Sequence, residues 1–581
     1  MSSGNWWRWS RVSFRRLSTL LFLFAVLSGC RKEAAGPPPR YMVVRFENLS
    51  GDPTLEWISR AASEFLSRSL SGALNGPVVP RSDLGRVEGT FGVRPASAPG
   101  ISSERSAALI AGATRVITGY VERAGGRLRI AAIEEDAASG KTTRVLAAED
   151  TDPLKALDRL AHAFSPAAKP YLTSSAAALR LYSTSIESSP QDAQGLLEQS
   201  IAADADFGPA WLMLVNLNIV RENRATAEEL IEKARRRKLD RLDLAELDLD
   251  SAGLRGDRDG RILALREISD LTPGDSLLLR TLTEAETAAG QFGGAAADWK
   301  KLTALNPNDV DAWNQLGYSR AWAGDYRGAL EALKEYARLR PNDPNVSDST
   351  GDVYYMQGKF PEAAASYQQA NARDPKFQQG GELLKAAWAK FKAGDKAGAD
   401  AAFEQFRAAR EKAKSLDLPL FQADWLHRTG RHKEAMALLR KDGQGPGAAA
   451  QLTIWDLLDK DRAAAEKDAA AVGQVNSPLF FAARFAALPS ASAEEWGLRA
   501  ERMINGTGAA GFREIALGYA LLLDGKKEAA LPVWRKIAET TPATDFFSRA
   551  IYARLRGERP KLELTPDPSV VNPFGAVLDS L

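Results

Sequence analysis

The sequence predicts an α-helical superhelix, an α-solenoid, preceded by a small α+β domain, and three observations carry that prediction. From about residue 174 onward the chain repeats with a period of about 34 residues. Between Arg40 and Lys169 short β-rich runs alternate with helical ones instead. The chain of 581 residues holds one cysteine, Cys30, placed just after an apolar run.

Taken in order, Arg8, Arg11, Arg15 and Arg16 precede an apolar run from Leu17 to Leu27 that only Ser18 and Thr19 interrupt. This is the layout of a secretory signal. The run is shorter than the roughly 20 residues that cross a hydrocarbon core, and no other stretch could span one. Leu27-Ser28-Gly29-Cys30 resembles the lipobox of bacterial lipoproteins. The resemblance implies that residues 1–29 are removed and that the Cys30 sulfur carries lipid, so that the protein faces the periplasm of a bacterial envelope. Arg31 stands where an aspartate would retain enterobacterial lipoproteins in the inner membrane, which leans the expectation towards the outer one. Residues 30–39, with three consecutive prolines, form a semi-rigid tether. One thiol also means no intrachain disulfide.

Composition places the remainder among ordinary globular proteins, with 45% hydrophobic and 26% charged residues. A formal charge of +2 offers no broad field for nucleic acid.

Within residues 40–169, "YMVVRF" predicts a strand. "PTLEWISRAASEFLSRSLSGAL" predicts a helix with Leu55, Ile58, Ala62, Phe65 and Leu66 on one face, and "SSERSAALIAGA" a second. Three strands follow, turning at Gly125-Gly126 and Ser139-Gly140, with Leu128, Ile130 and Ala132 alternating inward. "SGKTT" from Ser139 ends like a phosphate-binding loop, but Glu135 stands where its first glycine belongs and a strand follows. Phe46-Glu47-Asn48, Ser50-Gly51-Asp52 and Gly119 before the Gly-Gly turn resemble the TolB-type N-terminal domain. Such domains occur in envelope proteins and in sensory regions of bacterial regulators, often ahead of helical repeats. Arg45 departs from that pattern, which has proline before the phenylalanine, and the TolB propeller is absent.

The repeat register is set by the unit from Val310, with Trp313, Leu316, Gly317, Gly324, Tyr326, Ala329 and Pro341 at its marked positions. The next, from Pro344, offers Gly351, Tyr354, Gly358, Phe360, Ala363, Tyr367, Ala370 and Pro375 without any shift. Backwards, units start at Ser276, Leu242, Gly208 and Ser174. Forwards, two inserted residues precede a unit from Gly380, and others begin near Leu416 and at Gly511. These positions match the tetratricopeptide repeat, in which small residues let two helices of a hairpin approach, aromatics fill the gap and proline stops the second helix. Repeats therefore span residues 170–449. Residues 450–510 read as divergent helical repeats, 511–560 as a terminal repeat and capping helix, and 561–581 as an irregular tail. Stacked hairpins of this family coil into a superhelix with a concave groove.

Family positions on the first helices place Asn216, Asn314, Tyr318, Trp322, Asn345, Asp348, Asp352, Tyr355 and Trp388 along that groove. Asparagines can clamp an extended backbone and aromatics can anchor it. Catalysis has little to stand on. Of three histidines, His427 and His432 lie five apart around a turn, the wrong spacing for a zinc pair on one helical face, and His162 is remote. "GQGPG" from Gly443 lacks a preceding strand, and "DRDGR" from Asp257 lacks calcium-loop spacing. The expectation is a non-enzymatic, lipid-anchored envelope scaffold that needs no cofactor or metal and binds envelope proteins or peptides in the groove. The alternative is a sensor in which the TolB-like domain binds a small molecule and the repeats relay its presence.

Overall fold

The computed structural model describes residues 38–79, 106, 108–109, 112–472, 477–487, 511–558, 577–578 and 581. The signal, Cys30, most of the tether, seven of the twelve residues of the helix expected at "SSERSAALIAGA", all of 488–510 and most of 561–581 lie outside the described residues. The described residues divide into two compact units, one within 38–247 and 269–275, the other within 248–268 and 276–581.

The first unit holds a five-stranded sheet. Strands β1 (Tyr41–Val43) and β2 (Glu47–Asn48) both run parallel to β3 (Arg115–Ala124), which continues antiparallel through β4 (Arg127–Asp136) and β5 (Thr142–Asp150). The single strand expected at "YMVVRF" is broken: the Phe46 N–H turns away to the Ser59 carbonyl at 3.1 Å. Phe46 is buried to 0% exposure, with its ring against Gly119 of β3. It fits because Gly119 has no side chain; a Cβ there would stand 2.3 Å from the Phe46 ring and 2.2 Å from the Ala131 carbonyl oxygen. The Ser50-Gly51-Asp52 turn is built from its own side chains. Asn48 Oδ1 accepts from the Ser50 N–H, Gly51 takes φ +70°, and Asp52 accepts from the Thr54 N–H and from Arg123. The "SGKTT" segment is a hairpin: Asp136 caps the turn through Ser139, and β5 starts at Thr142.

Helix α1 (Glu56–Leu70) buries Ile58, Ala62, Phe65 and Leu66, and α2 (Pro153–Phe164) packs beside it. The core does not stop at residue 169. Phe65 stacks on Tyr171 at 4.3 Å, and Tyr182 meets Phe207 edge-on at 5.3 Å, so one apolar cluster runs from the sheet into α3 (Ala176–Ile186), α4 (Pro190–Ala203) and α5 (Gly208–Val220). Arg45, at the position where the TolB-type pattern has proline, donates to Glu187 just past α3 at 2.8 Å, and Arg60 reaches the same carboxylate at 3.1 Å. Proline at that position could not make the Arg45 bond. The unit continues through α6 (Arg224–Ala234) into α7 (Arg241–Arg255).

The second unit is a succession of helical hairpins: α8 (Arg258–Leu271), α9 (Ser276–Ala288), α10 (Phe292–Leu305), α11 (Val310–Trp322), α12 (Tyr326–Leu339), α13 (Pro344–Met356), α14 (Phe360–Arg373), α15 (Gly381–Lys392) and α16 (Lys396–Lys412). It goes on through α17 (Leu418–Arg428), α18 (His432–Asp442), α19 (Gly445–Leu458), α20 (Arg462–Ala469), α21 (Pro478–Ala487), α22 (Phe512–Leu523), α23 (Lys527–Thr540) and α24 (Phe546–Leu555). First helices begin where the period places them because the spacing records real packing. A Cβ on Gly351 would stand 2.5 Å from the Tyr367 ring, and one on Gly518 2.9 Å from Trp534. Among the described residues no helix is long and apolar enough to cross a membrane.

Candidate functional site

Helix α13 is opened by Asp343, whose carboxylate accepts from the Asn345 N–H at 3.0 Å, with Pro344 in the first turn. Asp348 and Asp352 lie one turn apart on one face of it. Both carboxylates meet Lys385 of α15, whose Nζ donates to Asp348 at 2.8 and 2.9 Å and to Asp352 at 3.1 Å. Asp352 also accepts from the hydroxyls of Tyr318 and Tyr367, each at 2.8 Å. All three charged side chains are under 10% exposed. Burial pushes the Asp348 carboxyl above its usual range even with Lys385 beside it. Burial also works against the Lys385 ammonium, but Asp352 and Asp348 outweigh it and hold the pKa above the ordinary lysine value.

Glu382, one turn before Lys385, is 0% exposed, and neither of its carboxyl oxygens has a hydrogen-bond partner among the described residues. Burial pushes it from 4.5 to about 7. The folded chain therefore holds a proton that the unfolded chain has lost between pH 4.5 and about 7, so Glu382 lowers stability as pH rises through that window. Glu382→Gln is expected to lose less stability than wild type between pH 5 and pH 8 in urea melts. Equal slopes for the two proteins would mean that water reaches Glu382.

The other end of the cluster is aromatic. Tyr318 stacks on Trp322 at 5.5 Å, and Trp322 meets both Phe292 at 5.5 Å and Phe546 of α24 at 5.8 Å. The segment before α24 is held there by its backbone. The Ala543 N–H donates to the Ala288 carbonyl at 2.7 Å, and the Arg258 guanidinium donates to the Thr540 carbonyl. Trp322 is thus covered by α24.

Of the residues expected along the groove, Tyr318, Trp322, Asp348 and Asp352 come together in this one cluster. Asn345 is engaged beside it, its Nδ2 donating to the Tyr336 hydroxyl at 3.2 Å. Asn314 keeps a buried Oδ1 without a hydrogen-bond partner among the described residues. Tyr355 packs edge-on against Phe360 at 5.1 Å, and Trp388 is buried between Trp425 and the Arg428 guanidinium, so both are packing groups within the repeats. Asn216, in the first unit, is exposed, with its Nδ2 bonded back to the Leu212 carbonyl at 3.1 Å. Cys30 lies outside the described residues.

Lys385, Tyr367 and Glu382 escaped the sequence reading. Tyr367 carried a signal, being one of the repeat's aromatic positions, but nothing marked its hydroxyl as a donor to Asp352. The two inserted residues before Gly380 were the signal for the rest. Gln378 and Gln379 take left-handed φ of 42° and 55°, and Gln378 reaches Asp348 at 3.4 Å. The two histidines of the wrong spacing for a zinc pair nevertheless meet. His427 and His432 are half-buried against Trp455, their Nδ1 atoms 2.7 Å apart, with His432 Nε2 at 2.8 Å from Asp459. Among the described residues no group of three or more His, Cys, Asp or Glu could hold a metal ion.

Models of the tetratricopeptide repeat match residues 284–344, 323–376 and 383–409. Among solved structures, MamA is 22% identical over 30% of this chain and 94% of its own, with a TM-score of 0.26. YrrB, described as a tetratricopeptide-repeat protein with an unusual peptide-binding site, is 16% identical over 31% of this chain and 93% of its own, with a TM-score of 0.25. The C-terminal part of a tetratricopeptide-repeat protein from Cytophaga hutchinsonii is 16% identical over 40% and 93%, with a TM-score of 0.30. No curated protein matches. The buried cluster of Tyr318, Asp348, Asp352 and Lys385 is therefore built on tetratricopeptide repeats, which this chain carries over residues 284–376 and 383–409.

Proposed function

We propose that this protein is a non-enzymatic scaffold of a bacterial cell envelope, anchored through lipid on Cys30, that holds an extended segment of a partner protein against the first helices of its repeats. The observation that carries this reading is the run of polar and aromatic side chains, Asn314, Tyr318, Asp348 and Asp352, on the first helices of two consecutive repeats, with Trp322 closing one end of it under α24. Lys385 and Tyr367 fix the buried carboxylates, so these set the field and shape of the face and do not themselves clamp a backbone. Asn314 is half-buried on the same face, and its Oδ1 has no hydrogen-bond partner among the described residues. The N-terminal unit is read as a TolB-like domain on the residues that shape its first turn and on the Phe46–Gly119 contact.

The test is a crosslinking pull-down from native membranes with wild type, Asn314→Ala and Cys30→Ala. Asn314→Ala is expected to leave the melting temperature unchanged and to lose one defined partner. Cys30→Ala is expected to move the protein from the membrane to the soluble fraction. An unchanged partner set with Asn314→Ala would remove the repeats' first-helix face as the working surface.

A further inference from the structure

The segment that leads into α24 lies across repeats far from it in the chain. Arg258, which opens α8, donates to the Thr540 carbonyl from 282 residues away. The Ala543 N–H donates at 2.7 Å to the carbonyl of Ala288, which closes α9. Phe546 then sets its ring 6.2 Å from that of Phe292, which opens α10, and 5.8 Å from that of Trp322, which closes α11. The segment thus crosses the turn ends of three consecutive hairpins.

Helical repeats are held by their immediate neighbours, so a contact of this range adds to what already fixes each hairpin. Without it α24 keeps its own anchors. Asp545 accepts from the Ser548 N–H at 3.1 Å, and Ile551, 0% exposed, lies in one apolar cluster with Trp534 and Tyr519. The segment can therefore leave the three hairpins without unfolding a repeat. Its attachment is also that of a bound peptide. Backbone groups supply the hydrogen bonds and one aromatic ring the anchor, among rings that are themselves half-buried. The register is narrow, because a Cβ on Gly290 would stand 3.0 Å from the Ala543 Cβ, which leaves space there for a small residue only.

We propose that residues 540–546 occupy, in cis, the end of the partner-binding face marked by Trp322. Once Phe546 leaves, that end takes an extended segment of the same pattern in trans, a small residue followed three positions later by an aromatic one. The inference rests on the partner-binding reading of this face. A partner meets only the open fraction of molecules, and its apparent affinity falls by that fraction.

The probe is a peptide of residues 540–555 with benzoylphenylalanine in place of Phe546, photo-crosslinked to the full chain and mapped by mass spectrometry. It is offered to wild type and to Ala543→Pro/Phe546→Ala. Proline suits position 543, the second residue of a turn closed by the Asp545 N–H on the Pro542 carbonyl at 2.9 Å, and it removes the N–H that Ala288 receives. The variant is expected to be labelled on α10 and α11 about tenfold or more above wild type, the factor for a face closed in about nine molecules of ten. Adding Trp322→Ala is expected to abolish that labelling. Should the double variant fail to fold by circular dichroism, Phe546→Ala alone shifts labelling in the same direction. Equal labelling of wild type and variant, no labelling of α10 and α11 in the variant, or labelling that survives Trp322→Ala would overturn the proposal. No partner takes part in this measurement, so its outcome is separate from that of the membrane pull-down, where the variant is expected to capture more partner than wild type. A variant labelled on α10 and α11 that captures no partner would overturn the partner-binding reading alone.

Discussion

Lys385→Ala is expected to destabilise the repeats by about 3–5 kcal/mol, the usual result of removing one partner from a buried ion cluster. The substitution leaves Asp348 and Asp352 one turn apart, each under 10% exposed, with no cation between them. Desolvation and like-charge repulsion then act together. The remaining hydroxyl donors, Tyr318 and Tyr367, both serve Asp352 and leave Asp348 with Gln378 alone at 3.4 Å. Two controls separate this from loss of packing. The deficit should shrink as pH falls through the carboxylate range, since protonation relieves both terms. In addition, Lys385→Met combined with Asp348→Asn and Asp352→Asn should recover most of the stability, because an uncharged cluster of similar volume has no desolvation deficit. Urea midpoints at pH 7 and pH 4.5 read all of these. A loss below about 1 kcal/mol at pH 7, the value of an exposed pair, would show that water enters the cluster.

The same cluster shows what a sequence can and cannot disclose about this chain. Helix starts were legible because glycine, alanine and aromatic positions recur wherever two helices must touch. Gly351 against Tyr367 is one such contact, and Gly518 against Trp534 another. A period also predicts which helix face a residue occupies, and Asp348 and Asp352 do share one. It does not predict what the following hairpin brings opposite. Lys385 falls off the positions that define the repeat, and the two inserted residues before it set its height against α13. Phe546 over Trp322 is a contact between distant parts of the chain that no periodicity encodes. Phe46 carried a family signal, but the break in the strand that delivers it to Gly119 follows from one hydrogen bond to Ser59, which hydropathy does not register.

That last contact predicts the largest effect in the N-terminal unit. Gly119→Val places atoms where the Phe46 ring and the Ala131 carbonyl oxygen already lie, 2.3 and 2.2 Å from the new Cβ. The ring could turn aside, but the carbonyl belongs to the β3–β4 ladder, where Gly119 stands opposite Ala132, so the sheet itself must move. The expected cost is about 3 kcal/mol or more, at the upper end for overpacking a core. Phe46→Ala should cost a similar amount, about 3–5 kcal/mol, by the opposite route of opening a cavity. The double variant distinguishes ring from backbone. With the ring gone, half of the Gly119→Val clash is relieved and its β-branched side chain occupies part of the void, so the two losses must sum to more than the loss in the pair. A coupling energy of about 1–3 kcal/mol in urea melts followed by far-UV circular dichroism is expected for residues in such contact. Strict additivity would mean that the Ala131 carbonyl alone excludes a side chain at 119. In that case Phe46 would lie on β3 because its own backbone turns there, and Gly119 would serve only the ladder.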